Sequence, residues 1–238
     1  MNMDQQDKES LDEIRGFYDS IYYKDKPGDK SANRHLLKLA ERLGICEGTE
    51  VLDVACGTGE WLLACQGHGA KTSGVDLSKK AIAHTREKLP DGEFYAQAAE
   101  TLPFEDNRFD VVSCLGSLEH FVKPEQSIQE MVRTAKDNAQ FVLLVPNADF
   151  LTRRLGLYSG TNQVDAKEVV RTLDEWSALF ERGGVRITER WKDLHVLSLP
   201  WIKANGLLNV PIRTAQALAL TVWPLKWQYQ VYHLCVKK

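Results

Sequence analysis

The stretch Val51-Leu52-Asp53-Val54-Ala55-Cys56-Gly57-Thr58-Gly59 sets a carboxylate shortly ahead of two glycines. Glycines let a chain turn tightly and approach a ligand without interference from Cβ. A second carboxylate, Asp76 in Gly74-Val75-Asp76-Leu77-Ser78, follows Gly57 by 19 residues. An acid at that distance beyond a glycine turn can accept both hydroxyls of a ribose. A dinucleotide site uses the same logic, but two details separate the readings. Leu62 stands where G-x-G-x-x-G has its third glycine. Asp53 would also face a pyrophosphate poorly and an ammonium well. S-adenosylmethionine (SAM) has an ammonium, a ribose and no phosphate.

These residues need strands to hold them. Glu50–Ala55, Lys71–Val75, Glu93–Ala96, Phe109–Cys114 and Phe141–Val145 read as strands, the early ones as Val/Leu-rich runs buried on both faces. Between them, helices are expected over Ser31–Leu43, Glu60–Gln66, from Ser78 to Leu89, and over Pro124–Lys136. Thr172 and Glu175 form a capping box for a further helix ending at Gly183-Gly184. Val185–Trp191 and Gln228–Cys235 close the chain as strands. This alternation predicts a Rossmann-like α/β fold: a doubly wound, mostly parallel seven-stranded sheet with helices on both faces. Ligands of such sheets bind beyond the carboxyl ends of the strands, where both carboxylates fall.

VLDVACGTG, GVDLS, AAETLPFEDNRFDVV and LEHFVKP, in this order, resemble the class I SAM-dependent methyltransferases, and among them the small ubiquinone-biosynthesis-like group. The resemblance covers about residues 30–147, with a fainter echo in TLDEWSALFERGGVRI. It implies that Asp53, Ala55, Gly57 and Gly59 surround the methionine end of SAM. It also implies that Asp76 binds the ribose, Leu77 packs on the adenine, Ala99 and Glu100 border the adenine edge, and Leu115 and Gly116 line the cofactor floor. Two positions depart from the family: Ala55 replaces a usual glycine, and Ala98 a common aspartate that meets the adenine amino group. Gln97 or a water could take over that contact. Some relatives hold magnesium with E-x-x-E-H after the fourth strand, but Gly116 occupies the first glutamate position here, so no metal is predicted. His120 is the candidate general base, because imidazole titrates near neutrality; bracing the cofactor loop is its other role. Methyl transfer itself leans on alignment of nucleophile and methyl more than on acids or bases.

The expected activity is transfer of a methyl group from SAM, giving S-adenosylhomocysteine (SAH), to a small or medium-sized acceptor, with oxygen as the nucleophile. Two other readings use the same residues. A protein of this fold could bind SAM without methyl transfer, as a cyclase or binding module. An NAD-dependent oxidoreductase is the other, and the absent third glycine argues against it. Nucleic acid is disfavoured: the place of an N/D-P-P-Y/F motif reads Cys114-Leu115-Gly116-Ser117, no Pro-Cys pair occurs, and the net charge is −3.

The chain of 238 residues is read as one domain, with an N-terminal cap over about 1–44 and insertions over about 148–171 and 198–227. Tyr18, Tyr22 and Tyr23 mark the cap, in a segment Phe17–Lys30 that folds over SAM in similar enzymes. Arg153, Arg154, Tyr158 and Asn162 mark the first insertion. Long insertions at strand ends are usually lids or binding loops. Residues 1–150 hold 17 Lys+Arg against 26 Asp+Glu, while the rest hold 13 against 7, with no acid after Asp193. The second insertion combines Trp201, Trp223 and Trp227 with Lys203, Arg213 and Lys226, and Pro211 and Pro224 bracket a helix Ile212–Val222. Three readings stay open for it: an acceptor lid, a core helix, or an element making weak peripheral contact with anionic lipid. Five cysteines without a CxxC pair argue against disulfides and zinc. No apolar run approaches the roughly 20 residues of a membrane span, and the polar start resembles no signal peptide. Cytoplasmic location follows; oligomeric state does not.

Overall fold

The computed structural model describes residues 5–23, 33–156, 168–198, 202–203 and 210–238. Seven strands form one sheet: β1 (Glu50–Val54), β2 (Lys71–Asp76), β3 (Glu93–Ala96), β4 (Phe109–Leu115), β5 (Ala135–Pro146), β6 (Val185–Lys192) and β7 (Gln230–Lys237). Their order is β3-β2-β1-β4-β5-β7-β6. Pairing is parallel except for β7, which runs antiparallel to both neighbours. The chain winds outward from β1 to β3 and returns to β4, so the switch point lies between β1 and β4.

The helices form where the caps predict. α4 (Lys79–Lys88) starts at Ser78, whose side chain accepts from the Ala81 amide. α7 (Leu173–Gly183) carries the Thr172–Glu175 capping box. α3 (Glu60–Gln66) has the expected bounds. Asn33, rather than Ser31, caps α2 (Arg34–Arg42), and Ser31 lies outside the described residues. α5 (Pro124–Thr134) ends two residues before the expected Lys136, because the backbone turns extended at Ala135 and β5 begins there. Ala135 pairs with Phe109 before an irregularity resets the register to Val111–Gln140.

Both faces of the sheet are covered. On one, α5 and α7 pack Ile128, Met131, Trp176 and Phe180 over Val112, Phe141 and Leu143. The Cβ of any other residue at Gly183 would lie 2.4 Å from Ile128, so only glycine allows this approach. On the other, α2 and α3 pack Leu39, Ala40, Trp61 and Leu62 over Val51, Val142 and Leu144. Each large side chain so buried contributes about 1.5–3 kcal/mol. Fully buried Leu62 shows that the missing third glycine serves core packing here.

Candidate functional site

Three segments meet at the switch point. The first is the turn after β1, held by Cys56 N–H donating to Val75 O at 2.9 Å and Thr85 Oγ1 donating to Gly57 O at 2.9 Å. Gly57 and Gly59 have φ of +53° and +81°, and Ala55 has φ of +63°. Ala55 thus sits in the left-handed region at the position where the resembling family has glycine, at a cost of roughly 1–2 kcal/mol for a residue with Cβ. The second segment is the end of β2. Asp76 Oδ2 accepts from Gly57 N–H at 2.9 Å and Oδ1 from Ser78 N–H at 2.8 Å. Asp76 therefore ties the glycine turn to the start of α4, a task its spacing did not reveal. A carboxylate offers about four lone-pair sites, so two stay open for hydroxyls.

The third segment is the end of β4. Ser113 Oγ donates to Asp53 Oδ1 at 2.7 Å and accepts from Trp61 Nε1–H at 2.8 Å. Burial pushes the Asp53 carboxyl up to about 7 and the Asp76 carboxyl up to about 6; Asp76 adds to the rise at Asp53. Neither acid has an ion-pair partner among the described residues. Two buried, unneutralised carboxylates call for a ligand that brings positive charge and hydroxyls.

The N-terminal segment closes over them. α1 (Gln5–Phe17) runs into a π-helical turn, Tyr18–Tyr22. Asp19 Oδ1 accepts from Ser78 Oγ at 2.5 Å, and Arg15 Nε–H donates to Leu77 O at 3.4 Å. Tyr18, Tyr22 and Tyr23 stack edge-on or tilted, and the Tyr23 hydroxyl lies 2.9 Å from where a Cβ at Gly57 would stand. Among the described residues of the expected cap, those of 5–23 and Leu36 of α2 reach the site; the rest of α2 packs on the core, and Lys24–Lys30 lie outside the described residues.

Two cavities result, with Tyr18, Tyr23, Ala55 and Ser117 lining both. One, of about 580 Å³, is walled by Asp76, Leu77, Gln97, Ala98, Ala99 and Glu100. The other, of about 730 Å³, is walled by Asp53, Cys56, Gly57, Leu115 and Gly116. Gly59 caps α3 behind the turn. Gln97 Nε2–H donates to Thr101 O at 2.5 Å, so its amide is engaged within its own loop. Glu100 Oε1 accepts from Lys123 N–H at 3.1 Å and anchors the start of α5. His120, in a short 3₁₀ turn, lines the first cavity with Asp76 and reaches the second only through its neighbour Ser117. Glu119 is buried, and that burial raises its carboxyl to about 7. Trp61, Ser113 and Ser117 are the site residues that sequence reading missed. A polar residue alternating with apolar ones in a buried strand, as at Ser113, is the signal that could have found one of them.

The insertions flank this edge. The ends of 148–171 meet, Ala148 N–H donating to Arg171 O at 2.9 Å; Tyr158 and Asn162 lie outside the described residues. α8 (Val210–Val222) starts two residues before the expected Ile212, with Pro211 in its first turn. Lys192 Nζ and Gln228 Nε2 donate to its carbonyls at Thr221 and Leu220. Its Ile212, Leu218 and Val222 are exposed. Trp223 and Trp227 are half-buried, Trp201 lies outside the described residues, and no described residue of 198–227 lines either cavity. Among the described residues no helix is long and apolar enough to cross a membrane, and no three His, Cys, Asp or Glu side chains group as metal ligands.

The family model described as "Methyltransferase domain" matches residues 52–143. A demethylmenaquinone methyltransferase of Clavibacter sepedonicus is 28% identical over 176 residues, spanning 71% of this chain and 70% of that protein. A ubiquinone biosynthesis O-methyltransferase of Coxiella burnetii is 30% identical over 133 residues, spanning 52% and 57%. The crystal structure of the [4+2]-cyclase SpnF shares the fold with a TM-score of 0.66 and 18% identity over 96% of each chain.

Proposed function

This chain belongs to the class I SAM-dependent methyltransferases of the ubiquinone-biosynthesis-like group, and from that premise we propose that it methylates an oxygen nucleophile on a small or medium-sized organic acceptor. The observation that carries the proposal is the pair of adjoining cavities, with buried Asp76 in the wall of one and buried Asp53 in the wall of the other. The residues fit the cofactor. Asp76 offers its remaining lone pairs to a ribose, Leu77 and Ala98–Glu100 wall the adenine, and Asp53, beside Gly57, faces an ammonium. When bound, SAM supplies a methyl group already activated by its sulfonium.

The chain's own residues orient and enclose. Gly57 leaves room at the turn, the Trp61–Ser113–Asp53 series holds one carboxylate, and the tyrosines exclude water, which strengthens each polar contact inside. His120 we assign to the wall of the adenosine-side cavity, since its position favours bracing over proton transfer at the methyl. The fold likeness to a cyclase shows the fold alone. We further propose one domain in which 5–23 acts as a cap and the two insertions shape the acceptor pocket. A small-molecule partner and a cytoplasmic setting agree with five free cysteines, four of them buried. Calorimetry with SAH, followed by transfer of labelled methyl from SAM to a panel of phenols, catechols, quinols and amines, tests the reading. SAH binding with label moving to hydroxyl acceptors is expected; no SAH binding, or label only on nitrogen, overturns it.

A further inference from the structure

Among the described residues, the large apolar side chains that stay exposed all lie beyond the carboxyl ends of the strands. Leu155 follows β5, Leu197 follows β6, and Ile212, Leu218 and Val222 belong to α8, which leads into β7. Ile21 lies in the tyrosine turn of the cap, and the Val169 amide donates to Glu119 O at 2.9 Å, so these two are at the same edge. A single exposed leucine is ordinary on a protein surface; a group confined to one edge marks a contact.

The group is densest on α8. At roughly 3.6 residues per turn, Pro211, Ile212, Ala215, Leu218, Ala219 and Val222 share one arc of about 120°, with no polar residue among them. Ile212 is 61% exposed, Leu218 60% and Val222 78%, while Ala217, on the opposite side, is buried. A surface helix ordinarily turns its apolar stripe to the core. The stripe of α8 faces outward, and the helix is held that way. Lys192 Nζ donates to Thr221 O at 2.7 Å and Gln228 Nε2 to Leu220 O at 2.8 Å, which ties its last turn to the sheet edge.

The charges around this stripe have one sign. Asp193 is the last acid of the chain; it is buried, and its Oδ2 accepts from His195 Nδ1–H at 2.5 Å. From Leu194 to Gln228 the charged residues are Lys203, Arg213 and Lys226. Lys203 and Lys226, before and after α8, are exposed. Arg213 is half-buried and engaged within the chain. The outward surface of this segment therefore offers an apolar stripe with a lysine toward each end and no carboxylate.

We propose that the outward face of α8, with Leu197 of the adjoining 3₁₀ turn, is a peripheral contact for an anionic lipid surface. The apolar side chains enter the acyl boundary and Lys203 and Lys226 meet lipid phosphates. A second copy of the chain suits this face less well. The 13 residues of α8 make a strip about 20 Å long and about 10 Å wide, or about 200 Å², where a stable interface takes about 800 Å² from each partner. Two-fold pairing would also set lysines against lysines, with no acid in the segment to answer them. A bilayer surface requires no complementary shape and supplies the negative charge. No helix among the described residues is long and apolar enough to cross it, so the contact is peripheral. Contact there turns the carboxyl edge, and with it both cavities, toward the bilayer.

Flotation of the full chain with vesicles of phosphatidylcholine and phosphatidylglycerol in equal parts tests the contact. The wild-type chain should float with them, about ten-fold less with phosphatidylcholine alone, and less as salt screens the lysines. A basic residue near an anionic surface contributes about five-fold, so Lys203→Gln with Lys226→Gln should lower binding on the order of 25-fold. Ile212→Ser, Leu218→Ser and Val222→Ser together should abolish flotation while thermal unfolding stays as in the wild type, since all three side chains are exposed. No flotation of the wild-type chain, equal flotation with phosphatidylcholine alone, or flotation that survives the triple variant overturns the proposal. A dimer in sedimentation velocity that the triple variant dissociates gives the face to a second copy and overturns it as well.

Discussion

Around β1, β2 and β4 the polar contacts join residues that the chain returns to within one or two βα units. Gly57 meets Asp76 across 19 residues, Thr85 meets Gly57 across 28, and Ser113 meets Asp53 across 60. Beyond β5 the spans are longer: His35 meets Tyr232 across 197 residues, Arg42 meets Glu189 across 147, and Asn147 reaches the Lys226 carbonyl across 79. The entropy of closing a loop grows only slowly with its length. Long insertions can therefore reshape the edge beyond β5 at little thermodynamic cost. The proposed cofactor side serves one unchanging ligand and needs its turn, its acids and their spacing together. The family model stops at residue 143, just where the first kind of construction gives way to the second.

The comparison breaks most sharply at Asp76. Asp76→Ala removes the acceptor of the Gly57 and Ser78 amides as well as the proposed ribose acceptor. With charged hydrogen bonds contributing about 1.5–3 kcal/mol each, SAH affinity should fall on the order of 100-fold or more in calorimetry. Asp193→Asn, at the edge beyond β5, should leave SAH affinity within about two-fold, or roughly 0.4 kcal/mol, because Asp193 lines neither cavity. Equal losses in the two variants would abolish the division.

Protons sharpen it next. Asp53 and Asp76 titrate near about 7 and 6 in the fold, against 3.8 ordinarily. Between those values the folded chain binds more protons than the unfolded one, so ligand-free stability contributed by these groups falls as pH rises. A cationic ligand favours the ionised carboxylates, so its affinity rises over the same range. SAM should bind about ten-fold more weakly near pH 6 than near pH 8, a one-unit effect of a single carboxylate, and its thermal shift should grow with pH. A dissociation constant that is flat across this window would show that the two acids do not face the cofactor's charge.

His120→Ala should cost less. Losing a wall of the adenosine-side cavity removes on the order of 1 kcal/mol of contact, or about five-fold in SAH affinity. An unchanged affinity with turnover down by roughly 10²–10⁴ would restore the general-base role of His120.

The smallest effect concerns Ala55. Ala55→Gly relieves the left-handed strain but adds chain entropy to the unfolded state, for a net gain of about 1 kcal/mol or less. Urea denaturation should show a slightly higher midpoint with an unchanged slope. A lower midpoint would mean that the Ala55 methyl contributes packing that outweighs its strain.

Local chemistry made the donor half legible in advance. Ser78 caps α4 and Thr172–Glu175 cap α7 through bonds to amides three residues away, and such caps are written in nearby residues. The buried strands showed as apolar runs, the turn as glycines, and the cofactor class as two carboxylates at a set distance. Tertiary structure alone decided the rest. It put Asp76 on the Gly57 amide, placed His120 in the cavity of Asp76 and Leu77, and began β5 at Ala135 because Phe109 was there to pair. It also brought His35, Asp193, His195 and Tyr232 together at one edge. Periodicity and spacing report what the backbone does over a few residues. They carry no record of which distant segments share a strand register, and the edge beyond β5 is built from such registers.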